Sequence, residues 1–318
     1  MGSGSTIAIS PATSLPQCDA DGALFLDLLD PRDPRKHSVV SFKGKEHQTY
    51  SPAAIPDLHD VFVLGFYPTS SKVAFLVRAA KDLPGNPGPG QSPAGIPWSR
   101  YHTYVAEFNR DGSYKGKIEL PISYKVVRFA IFPSGEFLVI GYDELNSVVR
   151  MLLLSSSGDV VRTIDLPASR TAVAGDTPFR SAVGARAASK VLASLMLTPY
   201  NQDILAWRTN SNDPILDVTS GGGVREVPLQ VPAGFAFAGM IPSSDRWIAH
   251  FRAENIREDA PFTASAYSYF ELRPQDGSVS SKLVISGDIP QSLACESDGT
   301  YLTYKVDSHR NLILLTSN

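Results

Sequence analysis

Apolar residues in this chain gather in short runs that stop at Gly, Asp, Ser, Asn or Pro. The clearest stretch begins at Lys125: "KVVRFAIFP", a turn, "EFLVIGYD", a loop, "SVVRMLLLS", the turn "SSGD", then "VVRTIDLP". Runs rich in β-branched and aromatic residues, punctuated in this way, predict an antiparallel meander rather than helices. Only "SAVGARAASKVLASL", from Ser181 to Leu195, has the composition of a helix.

The same pattern of apolar run, turn and alternating strand recurs. It reads "LGFYPTSSKVAFLVRA" from Leu64, "FAIFPSGEFLVIGYD" from Phe129, "LMLTPYNQDILAWRT" from Leu195 and "AGMIPSSDRWIAHFRA" from Ala238. Two further copies stand near the chain ends, "QCDADGALFLDLL" from Gln17 and "ACESDGTYLTYKV" from Ala294. Taking Gly22, Ser71, Gly135, Gln202, Asp245 and Gly299 as equivalent turn positions, six units follow one another at intervals of about 43 to 67 residues. The two widest intervals contain insertions, Asp82 to Arg100 and Ala168 to Lys190, and without them the period approaches that of four-stranded propeller repeats.

Units end in a short strand closed by proline, "QTYSP" from Gln48, "IELP" from Ile118, "IDLP" from Ile164 and "LQVP" from Leu229. Proline donates no ladder hydrogen bond and therefore suits an outer edge. After Gly299 the chain supplies only two more strands, Tyr301 to Val306 and Leu312 to Leu315, while "IAISP" from Ile7 has no unit before it. The expectation is an all-β fold: a six-bladed β-propeller of four-stranded antiparallel blades, its ring closed by the N-terminal strand completing the last blade. The domain spans residues 6–318, and residues 1–5 read as a linker.

The segment "FAIFPSGEFLVIGYDELNSVVRMLLLSSSGDVVRTIDLP" resembles a repeat of the NHL type, and the whole chain is similar to six-bladed propellers of the NHL-repeat and TolB-like superfamily, without the usual Asn-His-Arg stretch in mid-blade. That resemblance implies the propeller and leaves function open, because the fold hosts enzymes, receptors and scaffolds.

Charge narrows the partners. With 29 basic and 32 acidic residues the net charge is -3, which supplies no field for nucleic acid, and no apolar run reaches membrane-spanning length. Two cysteines, low charge and abundant Ser, Thr, Gly and Pro suit an extracellular or periplasmic protein whose signal peptide has been removed, with a cytoplasmic location as the alternative.

Cys18 and Cys295 hold equivalent positions in blades that would flank the seam. Equivalent positions on radiating blades usually stand further apart than a disulfide spans, so two buried thiols are expected, with a seam-locking disulfide as the alternative. Asp19-Ala20-Asp21-Gly22 and Asp298-Gly299 have the outline of calcium loops but fit turn chemistry better, so no cofactor is expected. No nucleophile motif, P-loop or dinucleotide fingerprint is present. The inner strands are almost wholly apolar, unlike the acidic channels of calcium-dependent propeller hydrolases.

A cation recurs at the end of the second strand: Arg78, Arg208 and Arg252 at one equivalent position, with Lys305 one place earlier. His59, Arg128, Lys190 and Gln291 fall near the starts of inner strands, and Trp98 lies in the longest insertion. In an antiparallel blade all of these belong to the end that carries the long connections. The reading is a non-catalytic binding or protein-interaction module with its site at that mouth, taking a small anionic ligand or a protein partner. A calcium-dependent hydrolase or lyase acting on a small organic substrate is the alternative.

Overall fold

The computed structural model describes residues 4–8, 17–19, 22–30, 33–43, 46–81, 101–121, 124–143, 148–164, 166, 194–209, 211–256, 267–284, 292–306 and 311–317. Its strands form six four-stranded antiparallel sheets. Blade one is β2 (Gln17–Cys18), β3 (Leu24–Asp30), β4 (Asp33–Lys43) and β5 (Glu46–Tyr50). Blade two is β6 (Leu58–Pro68), β7 (Lys72–Lys81), β8 (Tyr101–Asn109) and β9 (Tyr114–Glu119). Blade three is β10 (Tyr124–Ile131), β11 (Phe137–Asp143), β12 (Val148–Leu154) and β13 (Val160–Ile164). Blade four is β14 (Leu195–Tyr200), β15 (Asp203–Arg208), β16 (Ile215–Val218) and β17 (Val224–Val227). Blade five is β18 (Phe235–Ile241), β19 (Trp247–Ala253), β20 (Tyr267–Leu272) and β21 (Val279–Leu283). Blade six combines β22 (Ser292–Ser297), β23 (Thr300–Val306) and β24 (Asn311–Ser317) with β1 (Gly4–Ala8) from the other end of the chain.

The second strands explain the unbroken apolar runs of the sequence. Val73–Val77, Phe137–Ile140 and Ile204–Trp207 are buried throughout, because a blade is covered on both faces by its neighbours. The apolar clusters accordingly lie between blades: one joins Phe25, Tyr50, Phe66 and Phe75, and another joins Trp207, Phe237, Met240 and Trp247. Outer strands face solvent on their free edge, and β13 leaves Val160 and Val161 exposed.

Blades are also keyed together by their second hairpin turns. Gly112, Gly158, Gly222 and Gly277 each have positive φ and abut the outer part of the preceding blade. At Gly277 the approach is closest: a Cβ there would overlap the Pro228 carbonyl oxygen. The turn signals in the sequence therefore encode blade-to-blade contact as well as chain reversal.

Ring closure follows expectation, with differences. β1 pairs antiparallel with β24 from Gly4↔Leu315 to Ala8↔Asn311, so the closing strand starts at Gly4, inside the stretch read as a linker. Backbone pairing needs no particular side chain there. The outer strand of blade four is Val224–Val227, stopped by Pro228, and not the expected "LQVP"; the Thr219 to Gly223 turn fixes the earlier register. Cys18 and Cys295 are joined in a disulfide with a Cα–Cα separation of 6.0 Å. The expectation of two thiols is thereby corrected: the inner strands converge on the ring axis, and β2 and β22 approach within reach of one bridge. The helix-like segment lies outside the described residues as far as position 193, and Leu195 begins β14.

Candidate functional site

Each inner strand begins at the end where β7 and β19 finish, since Leu58 pairs with Lys81 and Phe235 with Ala253. The connections 82–100, between β7 and β8, and 165–193, between β13 and β14, both leave that end of the blades. The opposite end carries the tight turns, and several of its charges are paired. Arg110 Nη2 stands 2.9 Å from Asp19 Oδ2, Arg225 Nη2 donates to Asp217 Oδ2 at 2.6 Å, and Arg246 Nη2 donates to Glu296 Oε1 at 2.7 Å. Asp19 also accepts the Ala23 amide at 2.8 Å, which is turn chemistry of the kind expected for this loop. Asp21 lies outside the described residues.

At the loop-bearing end the three arginines stand on three separate blades. Arg208 braces its own blade: Nε donates to Ser194 Oγ at 3.1 Å, and Nη1 lies 3.7 Å from Asp213 Oδ2. Arg252 is buried, opposite Ala236 on one side and Tyr267 on the other. Arg78 sits in richer surroundings, between Phe62 and Thr103 in the ladder. The Phe62 and Tyr101 rings lie 6.0 Å apart, and the Tyr101 hydroxyl donates to Asp60 Oδ2 at 3.2 Å. Burial and the Asp60 charge push the Tyr101 pKa up, while the Arg78 charge opposes them. Asp60 holds φ +49°, beside a bulge that also separates His59 from Phe62 in register. All of these side chains are partly exposed. Sequence reasoning found Arg78 and His59 here and missed Asp60, Phe62 and Tyr101, whose proximity depends on strand register. Trp98, Lys190 and Gln291 lie outside the described residues.

Arg128 differs from the other arginines. It belongs to innermost strand β10, directly after a bulged residue, Val127, whose carbonyl accepts from Arg128 Nη1 at 2.9 Å. Among the described residues no carboxylate forms an ion pair with it. Burial pushes its pKa below the ordinary arginine value, the expected response of a cation removed from water without an opposing charge. A guanidinium has five donors, so one carbonyl leaves capacity for an anion.

Among the described residues, no group of three or more His, Cys, Asp or Glu side chains is arranged to hold a metal ion, and no helix is long and apolar enough to cross a membrane.

No protein-family model matches the sequence, and no curated protein is a detectable relative. Solved structures of similar shape are numerous and distant. A protein of unknown function from Bacteroides caccae is 11% identical, with 86% of this chain and 80% of that chain covered and a TM-score of 0.41. A streptogramin B lyase is 11% identical over 100% of this chain and 98% of that one, with a TM-score of 0.43. The six-bladed fucose-recognising lectin of Aleuria aurantia is 7% identical over 87% and 80%, with a TM-score of 0.42. A lyase and a lectin thus stand side by side among the similar shapes.

Proposed function

We propose that this protein is a non-catalytic binding propeller, a divergent member of the NHL-like group, whose loop-bearing mouth takes an anionic ligand or an acidic patch on a partner. The observation that carries this reading is Arg128: a partly buried cation on an innermost strand that pairs with no carboxylate among the described residues. A partly buried guanidinium with donors to spare suits an anion. The neighbouring blade adds Arg78, the Phe62 and Tyr101 rings and the Asp60 carboxylate, which offer apolar contact area together with hydrogen-bonding groups. The Cys18–Cys295 disulfide supports an extracellular or periplasmic setting, where such bonds persist.

The test is a calorimetric screen of small carboxylates, phosphates and neutral sugars on the intact protein and on Arg128→Gln. Binding of an anion class, weakened at least tenfold by the substitution, is the expected result. Preference for neutral sugars, or equal anion binding by both proteins, would discard the reading.

A further inference from the structure

Among the described residues, four inner strands carry a β-bulge at a comparable level. The ladder skips Leu64 between Val63 and Gly65, Val127 between Val126 and Arg128, Ala238 between Phe237 and Gly239, and Ala294 between Leu293 and Cys295. A bulge sets two residues against one and re-aims a side chain. Innermost strands have a ladder partner on their outer side only, so solvent exposure in mid-strand opens onto the channel. Leu64 is 44% exposed, and it is the only exposed large hydrophobic on an inner strand among the described residues. The others, Val160, Val161, Val224 and Val284, lie on or just beyond outer strands. Val127 and Ala238 are partly exposed, whereas Ala294 is buried. All four skipped residues are aliphatic, although a water-filled channel would accept polar ones without cost.

At two of the bulges a side chain bonds the skipped residue's carbonyl. The Val127 carbonyl accepts a hydrogen bond from Arg128 Nη1, and the Ala238 carbonyl accepts one from the His250 ring. Arg128 thus adjoins Val127 on blade three, and the exposed Leu64 lies at the comparable bulge of blade two. The inner strands of these blades pack together, with the Tyr67 and Phe129 rings 6.0 Å apart.

We infer that the ligand is amphipathic: a carboxylate held at Arg128, with an alkyl or acyl chain running into the channel past Leu64 and Val127. This rests on the anion-binding reading above and adds the chemistry of the rest of the molecule. The match is one of charge and polarity together, a cation with no carboxylate partner among the described residues beside exposed aliphatic side chains. An acidic sugar fits Arg128 equally well but offers no surface to that collar.

A series of straight-chain carboxylates from acetate to decanoate, titrated calorimetrically below micelle-forming concentrations, tests it. Affinity should rise about three- to fourfold for each methylene that reaches the collar. Leu64→Asn, at a position already exposed and so compatible with folding, should flatten that rise while leaving acetate binding unchanged. Arg128→Gln should weaken every member by a similar factor and preserve the rise. Equal binding of acetate and decanoate would overturn the amphipathic ligand and leave the anion site standing. A rise with chain length that survives Leu64→Asn would overturn its placement in the channel. Absence of binding across the series would overturn both.

Discussion

Glu296 Oε1 accepts from Arg246 Nη2 at 2.7 Å, tying blade six to blade five beside the channel at the turn end of the ring. Ser243 donates to the other oxygen of the same carboxylate, and the Gly299 amide donates to Oε1 at 2.7 Å. Tyr200, Ser243 and Glu296 are joined by parallel bridges, so the inner strands of blades four, five and six grip one another at this level. The Glu296 side chain is fully buried. Removing one member of such a pair leaves the other charge poorly solvated, and Glu296→Gln should cost about 2–3 kcal/mol of unfolding free energy in denaturant titrations. A change within 0.5 kcal/mol would show that water replaces the carboxylate there.

Acid should weaken the same contact. Burial pushes the Glu296 carboxyl up, but the donors Ser243, Arg246 and Gly299 more than offset it, and the net shift is downward. A carboxyl with a depressed folded-state value contributes stability above the ordinary glutamate range and loses it as the pH falls through the folded value. Stability should therefore drop below about pH 4.5 in the native protein and drop less steeply in Glu296→Gln.

A second acid limb should appear at higher pH. His250 packs against Gly239, where a Cβ would lie 2.6 Å from its Nε2, and against the Tyr267 and Tyr269 rings. Burial pushes its pKa down to about 4, against a smaller opposing pull from the hydrogen bond to the Ala238 carbonyl. The unfolded chain binds a proton near pH 6.5 and the folded protein does not, so stability falls between about pH 6.5 and pH 4 and levels off below. The slope should approach about 1.4 kcal/mol per pH unit within that window. His250→Gln should flatten this window and leave the lower limb, which belongs to Glu296, in place.

The blade architecture was legible because its signals are local. Turn glycines such as Gly135 and Gly299, and prolines at outer-strand ends, announce a meander whatever the neighbouring blade does. The site was only partly legible because its features are relational. The bulges at Leu64 and Val127 depend on how inner and second strands come into register, and no residue type marks them. Arg208 and Arg78 occupy the same place in the repeat, yet one braces Ser194 and Asp213 while the other stands among aromatic rings. Cys18 and Cys295 lie 277 residues apart in sequence, and only convergence of the inner strands brings them within bonding distance.

The keyed glycines give a comparison of two substitutions that differ in one respect. Gly277 and Gly299 both hold positive φ, +67° and +77°. Alanine at Gly299 would meet nothing within 4 Å, whereas alanine at Gly277 would strike the Pro228 carbonyl. Gly299→Ala should cost only the left-handed backbone penalty, about 1–2 kcal/mol. Gly277→Ala should cost clearly more, because blades four and five must separate for it to fit. Equal melting temperatures for the two variants would remove the keying role assigned to these turns.

The seam between blades six and one has two fasteners of different kinds, and their effects should be coupled. β1 lies on the outer side of blade six, adding five ladder positions against β24. The disulfide lies on the inner side, among Leu24, Leu26, Ala294 and Leu314. With the disulfide intact, deleting residues 1–8 exposes the β24 edge and removes ladder hydrogen bonds of roughly 0.5–1.5 kcal/mol each, but the ring cannot open. With β1 in place, Cys18→Ser with Cys295→Ser restores chain entropy to the unfolded state at a cost of about 5.5 kcal/mol in the chain-entropy account, but the ladder still closes the ring. Only when both are absent can blades one and six part and expose the apolar cluster between them. The combined variant should therefore lose more stability than the two separate losses predict, by at least about 1 kcal/mol in a double-mutant cycle of denaturant titrations. Its seam amides on β2 and β22 should exchange with deuterium well before those of β11. Simple additivity, with uniform exchange across the ring, would mean that the packing of blades one and six holds the seam without either fastener.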